Sequence, residues 1–246
     1  MARHRSVHRL GATSGSHVDI RVWQVDLRQP EAAVAELERL LAPDEREIAA
    51  RGQPGVRRRR LVSRATLRIA LGSVLGRPPE SLEFVLSPRG KPELAGEEIA
   101  FSVSTSGDLG VVALARQGPL GVDVEQVAER SGLDRIVATR FAPVEAEAIE
   151  RLGGEARLHA FYNCWTRKEA YLKATGAGLV RALDRVVVSV DDERPAIVSL
   201  DGDDPARWSL AALELAPGTV GAVAVRDGHG GLPARVPVEP LRLNVT

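Results

Sequence analysis

The order of its patterns constrains this fold most. Arg57–Leu75 and about Ala156–Ala174 are long stretches of helical spacing, each set among short runs in which apolar and polar residues alternate. Alternation at a period of two marks strands, and recurrence every three to four residues marks a helix with one apolar face. A chain carrying both signals in interleaved order is an α+β protein. Strands are expected at Val18–Leu27, Leu82–Leu86, Ile99–Ser104, Leu109–Ala115 and Leu120–Glu125, with short helices at Glu31–Leu41 and Asp44–Ala50. The slip in alternation at Val22-Trp23 suggests a bulge. Beyond a turn at Gln117-Gly118-Pro119 a similar sequence follows: helices near Leu133–Arg140 and Val144–Leu152, the long helix, then strands at Val186–Val190, Ala196–Leu200, Trp208–Leu215 and Thr219–Val225. The expected organisation is a disordered leader over 1–17, an N-terminal α+β half over 18–118, a C-terminal α+β half over 119–226 and a weakly ordered Gly- and Pro-rich tail over 227–246.

Net charge is zero, so nothing favours bulk attraction to nucleic acid or to an anionic membrane. No run approaches the roughly 18 apolar residues of a membrane-spanning helix. The single cysteine, Cys164, precludes an intrachain disulfide and suits a reducing compartment, so a cytoplasmic setting is expected.

The basic residues are unevenly chosen. Of 33 lysines and arginines only three are lysine: Lys91, Lys168 and Lys173. Two of them flank Glu169 in NCWTRKEAYLKATG. A compact ammonium differs from a planar guanidinium, and its retention in an arginine-rich chain points to chemistry at these positions. On a helix Phe161, Trp165, Glu169 and Lys173 form one stripe, running from aromatic core to charge, as at the mouth of a cleft. Separately, LGVDVEQV puts Asp123 and Glu125 on one face of a strand, ~6.6 Å apart along it. Gly121 leaves room beside these acids. Two like charges so placed call for solvent or a shared cation, and Mg²⁺ favours such carboxylates together with substrate phosphate. Glu169 is a candidate third carboxylate and Lys173 a candidate partner for an anion.

GVDVE (Gly121–Glu125) and WTRKEAYLKATGAGL (Trp165–Leu179), roughly 40 residues apart, together resemble the Sfp-type 4′-phosphopantetheinyl transferases. RGKPEL and FSVSTSGD (Phe101–Asp108) are similar to two softer upstream segments of that family. The resemblance covers roughly residues 18–225. It implies a pseudodimer of two similar α+β halves with the active site at their interface. It also implies transfer of the phosphopantetheine arm of coenzyme A to a serine of an apo acyl or peptidyl carrier protein, with Mg²⁺, releasing adenosine 3′,5′-bisphosphate. By the same resemblance Asp123, Glu125 and Glu169 would hold Mg²⁺. Lys173 would contact the pyrophosphate, and Lys91, Pro92 and Lys168 would line the coenzyme A site. Ser104 and Thr105 would lie at its nucleotide end. Glu169 and Lys173 are the expected catalytic pair, with Glu169 as base, and a chain of two fused halves is expected to be a monomer.

The family histidine before Ser-Gly is Thr105 here, and its asparagine is Ser102. Threonine offers a hydroxyl but no imidazolium charge. Weaker coenzyme A binding, or compensation by another cation, is expected. Where some relatives carry lysines for the 3′-phosphate, the Pro43–Arg51 helix has Asp44, Glu45 and Glu47 around Arg46, and Arg59 and Arg60, in the Arg57–Arg60 run that opens a helix, are the expected replacement. The alternatives are a coenzyme A-binding homologue without transferase activity and another Mg²⁺-dependent phosphohydrolase.

Overall fold

Val22 and Trp23 are both buried, on opposite faces of one regular strand, β1 (Ile20–Asp26), rather than at a bulge. Val22 joins a core between two sheets and Trp23 a core beneath a helix. A strand covered on both faces need not alternate in hydrophobicity, and the register of β1 with its neighbour is unbroken from Ile20 to Asp26. The computed structural model describes residues 18–116, 118–176, 183–191, 193–227 and 231–243. The leader expected over 1–17 lies outside the described residues, as do Ala177–Leu179 of the second motif.

After β1 come α1 (Glu31–Glu38), α2 (Pro43–Ala49), α3 (Pro54–Leu75), the hairpin β2 (Phe84–Leu86) and β3 (Pro92–Leu94), and then β4 (Ala100–Ser106) and β5 (Leu109–Ala115). There follow β6 (Leu120–Gln126), α4 (Leu133–Arg140), α5 (Pro143–Glu150), α6 (Gly154–Thr175), the hairpin β7 (Val186–Val188) and β8 (Ile197–Leu200), and β9 (Trp208–Glu214), β10 (Thr219–Arg226), β11 (Arg235–Pro237) and β12 (Glu239–Pro240). The main strands make two four-stranded sheets, ordered β12-β1-β5-β4 and β11-β9-β10-β6. Val111, Ala113, Val122, Val124 and Val223 fill the space between the sheets. Helix α3 covers the far face of the first sheet through Leu67, Leu71 and Val74. Helix α6 covers the second through Phe161, Ala170 and Leu172.

Local features recur 100 residues apart. Helices α3 and α6 are both 22 residues long and end on left-handed glycines, Gly76 (φ 67°) and Gly176 (φ 65°), the usual chemistry of a helix stop. Glu45 of α2 and Glu145 of α5 each accept the backbone N–H of the residue before their helix, Ala42 and Ala142, at 2.8 Å. Each glutamate also meets a buried cation on the long helix: Arg68 Nε donates to Glu45 at 2.7 Å, and Lys168 Nζ lies 2.7 Å from Glu145. Each cation then caps two carbonyls three residues apart. Arg68 donates to Pro79 and Leu82, and Lys168 to Leu183 and Val186.

Two expectations change. Among the described residues of the expected tail, 231–243, β11 pairs parallel to β9 and β12 parallel to β1, so these strands extend the outer edge of both sheets. Val236 is buried between them. And Gly121 does not make room for acids. A Cβ there would lie 2.0 Å from the carbonyl of Ala170 and 2.4 Å from the nitrogen of Ala174, so glycine lets the backbone of α6 lie against β6. That contact sets the height of Glu169 and Lys173 above Asp123.

Candidate active site

The inner edges of the sheets, β4 and β6, run side by side but belong to separate sheets, so the amides on the open side of β6 need other partners. Serines provide them. Ser102, Ser104 and Ser106 of β4 accept the backbone N–H groups of Val122, Val124 and Gln126 at 3.0, 3.3 and 3.0 Å. Two of these hydroxyls also donate to acids: Ser104 to Asp123 Oδ1 at 2.8 Å and Ser106 to Glu125 Oε2 at 2.7 Å. From the other side Lys173 Nζ donates to Asp123 Oδ1 at 2.6 Å and to Ser104 Oγ at 2.8 Å.

Asp123, Glu125, Glu169 and Lys173 line one cleft of about 440 Å³ with Ser63, Val103, Ser104, Thr105 and Trp165. The stripe expected on α6 is present. Phe161 is fully buried and stacks on Trp165, which reaches the cleft; Glu169 follows at 9 % exposure, and Lys173 is half-buried. Burial raises the carboxyls of Asp123 and Glu125, with Lys173 opposing it in both. Glu169 is pushed up to about 6 by burial and then by Asp123 and Glu125, against the pull of Lys173.

Among the described residues no group of three Asp, Glu, His or Cys side chains is arranged to hold a metal ion, so the acids share a cleft without closing around one point. Their chemistry nevertheless suits a cation. Asp123 Oδ2 and Glu169 Oε1 are buried and have no hydrogen-bond partner. An unpaired buried carboxylate oxygen is costly. Mg²⁺ is usually held by one or two protein carboxylates, its other positions going to water and substrate phosphate. The donor set fits that ion.

The other expected residues separate. Thr105 is exposed at the rim of the cleft. Lys168 is not in it: the ammonium is fully buried against Glu145 and two carbonyls, and no face is left for coenzyme A. Lys91 Nζ donates to the carbonyls of Leu120 (2.7 Å) and Lys173 (2.9 Å), pinning its loop to the end of α6, and burial pulls its pKa down to about 8. With Pro92 it lines a separate, larger cleft of about 740 Å³. Arg60 donates to the carbonyl of Arg51, and Arg59 meets Asp108 at 3.4 Å beside the β4–β5 turn. Ser104 donates to an acid rather than standing free for a nucleotide. Cys164 is buried, and burial pushes its thiol pKa up, so it is inert.

Sequence reasoning missed Ser63, Ser106 and Arg130. The Arg130 guanidinium sits 5.8 Å from the Trp165 ring centroid and adds a small pull against the burial that raises the Glu125 carboxyl. The period-two serines of FSVSTSG were a legible signal for the seam. Nothing local marks Arg130.

A family model described as the 4′-phosphopantetheinyl transferase superfamily matches residues 119–225, which include the acids and all of α6. The chain is 36% identical over 222 residues to the 4′-phosphopantetheinyl transferase HetI of Nostoc sp., covering 87% of this chain and 90% of that protein. It is 35% identical over 203 residues to a Synechocystis sp. protein named for the same transferase, covering 77% and 81%. With AcpT of Salmonella typhi the identity is 31% over 174 residues, covering 70% and 85%. No helix among the described residues is long and apolar enough to cross a membrane.

Proposed function

The chain belongs to the 4′-phosphopantetheinyl transferase superfamily, and from that premise we propose that it transfers the phosphopantetheine arm of coenzyme A to a serine hydroxyl of an apo acyl or peptidyl carrier protein, releasing adenosine 3′,5′-bisphosphate. The observation that carries this reading is the pair of buried, unpartnered oxygens, Asp123 Oδ2 and Glu169 Oε1, in a cleft that also holds the Lys173 ammonium.

Transfer of a phosphoryl group needs positioning and charge neutralisation more than covalent help. Asp123 and Glu169, with Glu125, would hold Mg²⁺, which when bound neutralises pyrophosphate charge. Lys173 is fixed by Asp123 and Ser104 and offsets charge growing on the leaving phosphate. Glu169 is the candidate base: burial, Asp123 and Glu125 make it more basic in the metal-free cleft, which suits it to take the serine proton directly or through a water. Trp165 and Val103 present apolar surface at the cleft, suited to excluding water and to the pantetheine chain.

For the nucleotide, Arg59 is the candidate cation in place of the charge that Thr105 lacks. It sits one helical turn before cleft-lining Ser63 and beside Asp108. Pro92 and Lys91 are assigned to the coenzyme A side through the larger cleft, Lys91 acting by holding its loop rather than by facing phosphate. We also read the chain as two related halves, 18–118 and 119–226, in a pseudodimer. The recurrence of Glu45 with Arg68 as Glu145 with Lys168 supports this. A cytoplasmic monomer is the state in which we expect it to act.

Incubation with Mg²⁺, coenzyme A and an apo carrier protein, followed by mass spectrometry of the carrier, tests the reading. Gain of one phosphopantetheinyl arm is the expected result. An unchanged carrier, with coenzyme A intact or merely hydrolysed, would refute it.

A further inference from the structure

The serine seam does more than join two sheets. A hydroxyl has one proton to give and two lone pairs to accept with. Each seam serine uses a lone pair on an amide of β6, so its proton must point elsewhere. At two rungs it points to the acid one position earlier on β6: Val124 N–H is accepted by Ser104, which donates to Asp123, and Gln126 N–H by Ser106, which donates to Glu125. At the third rung the amide is that of Val122, and the residue one position earlier is Gly121, which has no side chain to receive a proton. The same device therefore occurs twice with an acid and once without.

We propose that Ser104 and Ser106 are positioning residues that fix the rotamers of Asp123 and Glu125 and thereby set the cation affinity of the cleft. Ser104 saturates itself doing so: it accepts from Val124 and Lys173 and donates to Asp123 Oδ1. With Oδ1 held from two sides, the unpartnered Oδ2 is the oxygen left for a cation. The seam also makes acid placement depend on the fit of the two sheets, because the hydroxyls come from one sheet and the carboxylates from the other. The inference rests on the proposed cation-dependent transfer at this cleft.

The glycine rung supplies the control. Ser102→Ala, Ser104→Ala and Ser106→Ala each remove one amide acceptor at the seam, but only the last two release an acid. Binding is read as free Mn²⁺ by electron paramagnetic resonance, with and without coenzyme A, and each fold is checked by its melting temperature. All three variants are expected to melt a few degrees below the parent. Ser104→Ala and Ser106→Ala are expected to weaken Mn²⁺ binding by about tenfold, the usual scale for losing a partner that orients a metal ligand. Ser102→Ala is expected to change it less than twofold, and Ser104→Thr, which keeps the hydroxyl, to restore it. Equal effects at all three rungs, no effect at any, or a parent protein that binds no Mn²⁺ in either condition would overturn the proposal. Should Ser104→Ala fail to fold, Ser106→Ala and Ser104→Thr carry the test. Rung-dependent Mn²⁺ binding without arm transfer would sink the proposed reaction and leave the seam standing. Arm transfer with rung-independent binding would do the reverse.

Discussion

Replacing Lys168 with methionine separates a structural lysine from a ligand-binding one. In the fold its ammonium is 0 % exposed, faces Glu145 at 2.7 Å and caps the carbonyls of Leu183 and Val186. Glu145 is 1 % exposed and also accepts the N–H groups of Ala142 and Val188, both at 2.8 Å. Lys168→Met leaves this carboxylate buried with two amides but no cation, and two carbonyls lose their donor. Breaking a buried pair from one side costs about 3–5 kcal/mol. At roughly 2–4 °C per kcal/mol for a chain of this size, the melting temperature should fall by about 6–20 °C. The KM for coenzyme A, measured well below the new melting point, should stay within about twofold of the parent, since no part of Lys168 reaches the cleft. Removing Glu145 as well is not expected to restore stability, because the two amides would then be orphaned. Calorimetry and carrier-loading kinetics on the same preparation decide the matter. A melting temperature within 2 °C of the parent together with a tenfold higher KM would return Lys168 to the coenzyme A site and show the buried pair to be wrong.

Gly121→Ala should be far more damaging than its size suggests: a methyl 2.0 Å from the Ala170 carbonyl forces α6 off β6, and overpacking of about 3 kcal/mol or more should appear as lost soluble yield and lost activity together; a well-folded, active variant would contradict the helix–strand contact. Glu169→Gln should abolish transfer while stabilising the protein. With its carboxyl raised from 4.5 to about 6, the folded state binds that proton more tightly than the unfolded chain, so stability falls as pH rises through this window and stays lower above it. In chelator-treated buffer at pH 7.5 the variant should gain roughly 2 kcal/mol over the parent, and the gap should close near pH 4.5; equal melting temperatures at both pH values would argue against a strained carboxylate. Deleting residues from Leu232 onward removes β11 and β12 and uncovers the core around Val236, so cooperative melting should weaken well beyond the loss of a loose tail.

Much of the fold was legible because the long helices and two-residue alternations are strong local signals, and α3, α6 and β4–β6 fall within a few residues of their expected bounds. The strand at β1 was legible, and only the bulge expected at Val22-Trp23 is absent, because a strand covered on both faces loses strict alternation without losing register. The tail misled for a related reason: β11 and β12 gain their stability from pairing with distant strands, and short Pro-containing segments carry no local sign of it. At the cleft, strand periodicity pairs Asp123 with Glu125 and helix periodicity pairs Glu169 with Lys173, while the joining of the two pairs in one site was implied by the family resemblance. Lys168 could not be separated from them, since its burial depends on Glu145 and on carbonyls near 183–186, contacts set by tertiary packing. All three lysines end on oxygen atoms of the protein itself, which a three-donor ammonium suits, although Arg68 performs the equivalent task with a planar fork.

The pairing of Trp23 with Glu239 has a consequence for synthesis. On the ribosome the outer side of β1 has no neighbour until Glu239 and Pro240 have emerged, so the nascent chain carries an open strand edge while the residues between are being made. Such edges invite intermolecular pairing. Residues 235–240 thus act as a latch that ends this exposure, and growth at high temperature or rapid overexpression should penalise chains whose latch is clipped or blocked.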